Sequence, residues 1–171
     1  FIDAGMDINP KGIPLLLEHM LWYNSDVIVG SVRHSASRVY GYPLKRKIYS
    51  IGYHFFIKLF FGLKITDSQR GLKIFRREVL ETSFPRILVK KFAFDLELLV
   101  VAKSLGFNKI IEAPIILNYN FSSTIHLYSI IKILQDTAAI FYRKNFLKYY
   151  QEAHYSLEKD ETVIPPLKAY I

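Results

Sequence analysis

The start of the chain fits few folds. Phe1-Ile2 reads as the end of a buried strand, Asp3 to Asp7 leave the sheet, and Asn9-Pro10 turns the chain. Lys11 to Asn24 (KGIPLLLEHMLWYN) then reads as a helix with Pro14 in its first turn and an apolar face of Leu15, Leu16, His19 and Leu21-Trp22. Asp26 to Gly30 (DVIVG) is a β-branched strand stopped by glycine. Strand, helix and strand in succession is the grammar of a parallel sheet in an α/β fold.

The loop between the first strand and that helix carries Asp3 and Asp7. Carboxylates just beyond the carboxyl end of a strand stand where open α/β sheets bind ligands. Two of them on one loop suit a hard divalent cation, Mg2+ or Mn2+, that completes its shell with water and phosphate oxygens. The plainer alternative makes Asp3 a turn former and Asp7 a helix cap.

Charge supplies the second constraint. Between Asp26 and Asp67 there is no Asp or Glu, while Arg33, Arg38, Lys45, Arg46, Lys47, Lys58 and Lys64 fall in that interval with His34 and His54. The chain as a whole carries +8, a balance that favours an anionic partner: nucleic acid, a phosphorylated substrate or an acidic membrane face. Arg33 follows a strand end (GSVR), and arginine's planar fork suits phosphate. Lys45-Arg46-Lys47 opens Ile48 to Leu63, an aromatic-rich helix that reads as interfacial or buried and is too interrupted by His54 and Lys58 to span a bilayer.

Farther on, Lys64 to Phe75 (KITDSQRGLKIF) reads as strand, polar turn and strand, with Asp67 in the turn, and a helix starts at Arg76-Arg77. Phe92 to Leu99 begins another helix, capped by Asp95 and ended by Gly106, with Glu97 close to its apolar side. Lys109 to Leu117 is a strand in which Pro114 implies an edge or a bulge. Leu127, Ile130, Ile131, Leu134, Ala138 and Phe141 recur at helical spacing, giving an amphipathic helix that packs on the core or lies in a lipid interface. Gln151 to Ile171 reads as a tail with little fixed structure.

Composition excludes several chemistries. The chain has no cysteine, so disulfides, a thiol nucleophile and Cys-type zinc sites are ruled out. At 171 residues and 51% hydrophobic it has the size and apolar content of one domain with a real core. It opens in mid-element without an initiator Met or a basic leader, which reads as a fragment whose amino-terminal part lies upstream.

Three stretches, DSQRGLKIF (Asp67 to Phe75), KFAFDLEL (Lys91 to Leu98) and EAPII (Glu112 to Ile116), come in order after the Asp-rich strand exit. In this the chain resembles the family 2 glycosyltransferases that load sugars onto polyprenyl phosphates, the dolichyl-phosphate mannose and glucose synthases and their relatives. The resemblance runs from Phe1 to about Arg143. It implies a partial GT-A fold, a Rossmann-like α/β sandwich, with residues 1–118 as the C-terminal half of a catalytic domain, 119–150 as an amphipathic interface or packing helix, and 151–171 as a tail.

The resemblance also implies roles. Asp3 matches the first Asp of the metal-holding Asp-X-Asp motif, Gly5 stands where the second would be, and Asp7 lies two residues beyond. Arg33, Arg46 and Ser50 match residues that contact the lipid phosphate, and Asp67 matches the aspartate beside the sugar. The expected activity is inverting transfer of a hexose from GDP-mannose or UDP-glucose to a polyprenyl phosphate, at the cytoplasmic membrane face. The alternatives are a catalytically weakened scaffold subunit, motivated by Gly5, and a basic nucleic-acid-binding module. The transferase reading carries no nucleic-acid partner.

Overall fold

The computed structural model describes residues 1–2, 8–41, 44–68, 71–90, 93–118 and 127–151, with 44–46 and 127 described by backbone alone. The order is a 3-10 turn at Pro10–Gly12, α1 (Ile13–Trp22), β1 (Val27–Ser31), β2 (Arg38–Tyr40), α2 (Leu44–Phe61), β3 (Lys73–Phe75), α3 (Arg77–Ser83), a 3-10 turn at Phe84–Arg86, α4 (Phe94–Ser104), β4 (Ile110–Pro114), β5 (Ile116–Asn118) and α5 (Leu127–Asn145). β1 is central in the order β3-β1-β4, parallel to β4 and antiparallel to β3, and a separate pair joins β2 to β5 in parallel.

Every residue of β1 is buried, as a strand covered on both faces must be. Successive side chains point to opposite faces. Val27 and Val29 join a core with α2, α4 and α5 (Ile57, Phe61, Leu96, Leu99, Ile140), whereas Ile28 joins Leu16 and Met20 of α1 and Leu117 of β5. The result is a mixed α/β arrangement with helices on both faces of a small sheet.

Gly30 is dictated by contact. A Cβ there would stand 2.7 Å from Ile115 Cγ2 and 3.1 Å from the Leu72 carbonyl, which accepts the Gly30 amide at 2.8 Å. Gly62 ends α2 at φ +62° and Gly106 follows α4 at φ +100°, backbone conformations that favour glycine.

Several sequence expectations need correction. Phe1 and Ile2 are exposed, and Ile2 makes only an isolated bridge to Leu72. On α1 only Leu16 and Met20 are buried; Leu21 and Trp22 project away, because the sheet covers one narrow stripe of this helix. No strand forms over Leu63 to Asp67, although burial alternates there; the amides of Thr66 and Asp67 go to the Glu112 side chain instead of a ladder. Lys109 to Leu117 divides at Ile115 into two strands in different sheets. β4 is an edge strand, which accommodates Pro114.

The expected apolar stripe of α5 is split. Ile140 is buried, whereas Ile131, Leu134 and Ala138 face out, since α5 meets the core along Thr137, Ile140 and Phe141. Thr137 Oγ1 donates to the Ile133 carbonyl at 2.6 Å, so Tyr53 of α2 donates to Thr137 at 2.9 Å. The tail expected after Gln151 lies outside the described residues.

Candidate active site

The site grows from the carboxyl end of β1. Ser31 closes the strand, and its Oγ accepts the Arg33 amide at 3.2 Å, folding the chain back at once. Ser37 returns to fasten that turn: its hydroxyl donates to the Ser31 carbonyl at 2.5 Å and accepts the Ile115 amide at 3.1 Å. The Arg33 side chain is thereby sent toward α2, where Nη2 donates to Ser50 Oγ at 2.9 Å.

Arg33, Ser50 and Lys47 line a cavity of about 600 Å³ with Val32, Val39, Gly41 and Ile51. None of these lining residues is acidic. Because Ser50 accepts from Arg33, its own proton is available to an incoming oxygen. A guanidinium, an ammonium and a hydroxyl among the residues lining one cavity can hold an anion, and the apolar lining suits a ligand with a greasy part. Arg46 stands one helical turn before Ser50 on α2, and its side chain lies outside the described residues. Lys47 escaped sequence reasoning as a site residue; its only signal was membership of the basic run Lys45-Arg46-Lys47.

Asp67 occupies the other side of the same turn. It is buried, and its Oδ2 accepts the Val32 amide at 3.5 Å. Val32 also lines the cavity, so the Asp67 carboxylate is bonded to a cavity residue next in sequence to Arg33. Glu112 of β4 fixes the approach to Asp67. Its Oε1 accepts the amides of Thr66 at 2.7 Å and of Asp67 at 3.0 Å, and the Thr66 hydroxyl at 2.7 Å.

Asp3 and Asp7, the candidate metal ligands, lie outside the described residues. Their flanks are placed. Ile2 bridges to Leu72, whose carbonyl takes the Gly30 amide, and Ile8 bridges to Leu117 of β5. Ile2 therefore stands near the carboxyl end of β1, and Ile8 beside β5. Among the described residues no group of three or more His, Asp or Glu could hold a metal ion.

Two acidic residues of the FDLEL stretch serve the fold. Asp95 does not cap α4, since the N-cap is Ala93 without a side-chain bond; Asp95 instead accepts from the fully buried Lys73 Nζ at 2.9 Å. Glu97, also fully buried, accepts the amides of Leu88 (2.9 Å) and Val89 (2.6 Å), Arg143 Nη2 (2.8 Å) and the Tyr150 hydroxyl (2.6 Å). Burial lowers the Arg143 pKa, but the contacts with Tyr150 and Glu97 more than offset it and leave it raised. Burial, then the bond to Glu97, raises the Tyr150 pKa and keeps its hydroxyl protonated.

The chain has named relatives over these segments. It is 34% identical over 121 residues to the dolichyl-phosphate beta-glucosyltransferase ALG5C of Trichomonas vaginalis, covering 68% of this chain and 35% of that enzyme. It is 35% identical over 133 residues to ALG5A of the same organism, covering 77% of this chain and 40% of that enzyme. An uncharacterised protein of Methanocaldococcus jannaschii is 27% identical over 113 residues, covering 66% of this chain and 46% of that protein. No protein-family model matches the chain.

These similarities place the chain among the family 2 glycosyltransferases. Within them its homologues are dolichyl-phosphate β-glucosyltransferases, and it spans a little over a third of the length of these two. The scaffold and nucleic-acid readings are not favoured by this kinship.

Proposed function

We propose that the chain forms part of an enzyme that transfers a hexose from a nucleotide sugar to a polyprenyl phosphate, with inversion, at the cytoplasmic face of a membrane. The observation that carries this reading is the Arg33–Ser50 pair in a partly apolar cavity with no acid among its described lining residues, one of which, Val32, donates its amide to Asp67. The relatives' names specify a dolichyl-phosphate acceptor and a β-glucosyl product, which favours glucose, and hence UDP-glucose, over GDP-mannose.

Arg33, Ser50, Lys47 and Arg46 would cradle the acceptor phosphate. A phosphate monoester has a second pKa near 6 and is largely dianionic at neutral pH, so it attacks without a strong general base. One of its oxygens bonds to the sugar's anomeric carbon as the bond from that carbon to the nucleoside diphosphate breaks, and the electron pair leaves with the diphosphate. Asp67 would orient sugar hydroxyls and steady the oxocarbenium-like charge. Asp3 and Asp7 would hold a divalent cation, Mg2+ or Mn2+, which when bound neutralises charge on the departing phosphates. Two carboxylates four residues apart in sequence suit that ion.

Membrane contact would come from α2 and α5. Ile48, Ile51, Phe55 and Leu59 are exposed at helical spacing on α2, and Ile131 and Leu134 are exposed on α5. No helix among the described residues is long and apolar enough to cross a bilayer, so these helices would lie in its surface.

The test is transfer of radiolabelled glucose from UDP-glucose to dolichyl phosphate by the full-length protein. Arg33→Ala removes a charge-assisted contact with phosphate and raises the acceptor KM by about tenfold to a hundredfold, with the donor KM little changed. An unchanged acceptor KM refutes the cradle.

A further inference from the structure

We propose that Glu112 is a positioning residue that holds Asp67 and Arg33 in fixed relation across the end of β1, an inference that rests on the transfer reading above. Glu112 lies on β4 opposite Val29, two residues short of the strand end at Ser31. Its carboxylate replaces the strand partner that Leu63 to Asp67 lack. Leu63, Ile65 and Asp67 are buried alternately, as in a strand, but the amides of Thr66 and Asp67 go to Glu112 Oε1.

The same carboxylate reaches Arg33 through a directed chain. A carboxylate only accepts, so the Thr66 hydroxyl must donate to Glu112. Thr66 Oγ1 then accepts from Ser31 Oγ at 3.1 Å, and Ser31 Oγ in turn accepts the Arg33 amide at 3.2 Å. The Thr66 hydroxyl reaches both carboxylate oxygens, at 2.7 and 3.0 Å, and the direction of the whole chain is set at Glu112. One side chain thus fixes the backbone of the residue assigned to the sugar and of a residue assigned to the acceptor phosphate. A reaction between two bound substrates depends on that separation, and a misplacement of about 1 Å can cost a hundredfold in rate.

The experiment is a double-mutant cycle in the full-length protein with Glu112→Ala, Glu112→Gln, Asp67→Asn and Asp67→Asn/Glu112→Ala, reading kcat and both KM values, with amide hydrogen exchange at Thr66 and Asp67. Glu112→Ala lowers kcat about a hundredfold. Glu112→Gln, whose carbonyl can still accept both amides, stays within about threefold of wild type. The double mutant loses less than the product of the two single losses, because part of the effect of Glu112 passes through Asp67 and the rest through the Ser31–Arg33 turn. Losses that multiply in the double mutant, or a wild-type kcat in Glu112→Ala, overturn the proposal. If the wild-type protein transfers no sugar to dolichyl phosphate, the transfer reading fails separately. The brace is then judged by exchange: faster exchange at Thr66 and Asp67 in Glu112→Ala but not in Glu112→Gln supports it, and equal exchange in all variants overturns it.

Discussion

Glu97→Ala tests what holds α5 to the rest of the molecule. Glu97 is fully buried and accepts four hydrogen bonds, two from the backbone before α4 and two from Arg143 and Tyr150. Truncation leaves a guanidinium that is 18% exposed without its carboxylate, and the hydroxyl of a tyrosine that is 1% exposed without its acceptor. Breaking a buried pair from one side costs about 3–5 kcal/mol, mostly because the surviving charge stays desolvated. For a chain of this length each kcal/mol is worth roughly 2–4 °C, so the melting temperature should fall by roughly 6–20 °C. Glu97→Gln does not rescue it. Its carbonyl can take the two amides, but its NH2 then faces Arg143, which has no acceptor to offer. The assay is thermal unfolding of wild type, Glu97→Ala, Arg143→Ala and the double variant. The double variant should lose less than the two single losses added together, since each single variant already breaks the shared contact. A Glu97→Ala protein melting within about 2 °C of wild type, below the loss of even one kcal/mol, would refute the claim that this carboxylate anchors α5.

Three other outcomes follow from the same contacts. Tyr150 has a raised folded pKa, so its stabilisation is fully present below its unfolded value near 10 and is lost as pH rises from there toward the folded pKa. Urea titrations from pH 8 to 11 should show wild type losing its advantage over Tyr150→Phe, and a gap independent of pH contradicts this. Gly30→Ala puts a methyl group against the stiff, buried Ile115 and the Leu72 carbonyl, and should destabilise by about 1–3 kcal/mol in denaturant unfolding. Phe55→Glu with Leu59→Glu changes two exposed side chains of α2 and should abolish flotation with vesicles of phosphatidylcholine and phosphatidylserine while leaving the melting temperature near wild type; undiminished flotation argues against α2 as the docking helix.

Much of the fold was legible because periodicity and punctuation agree locally. β1, α2, α4 and the glycine stop at Gly106 were readable from runs of a few residues. The misreadings arise where a partner distant in sequence decides. Asp95 looks like a cap at the start of a helix, yet Lys73, on a strand 22 residues earlier, claims it. KIT looks like a strand, but a carboxylate 46 residues later takes the Thr66 amide that a ladder would use. The stripe of α5 reads as one apolar face until α2 and α4 cover part of it and leave Ile131 and Leu134 outside.

The candidate site shows the same division. Arg33 and Asp67 were singled out by type and local context and Ser50 by the family resemblance, and the structure brings Arg33 to Ser50 and Asp67 to Val32. Nothing in the sequence says how they are held relative to one another, because that depends on β1 and β4 being parallel and in a register that sets Val29 beside Glu112. That register carries the Glu112 carboxylate to the two amides of the unpaired segment. Slipped by one residue, it would turn Glu112 to the opposite face of the sheet and leave Asp67 without its support. The position of the site therefore depends on packing far from it, including the fit of Gly30 against Ile115 that keeps β1 close to its neighbours.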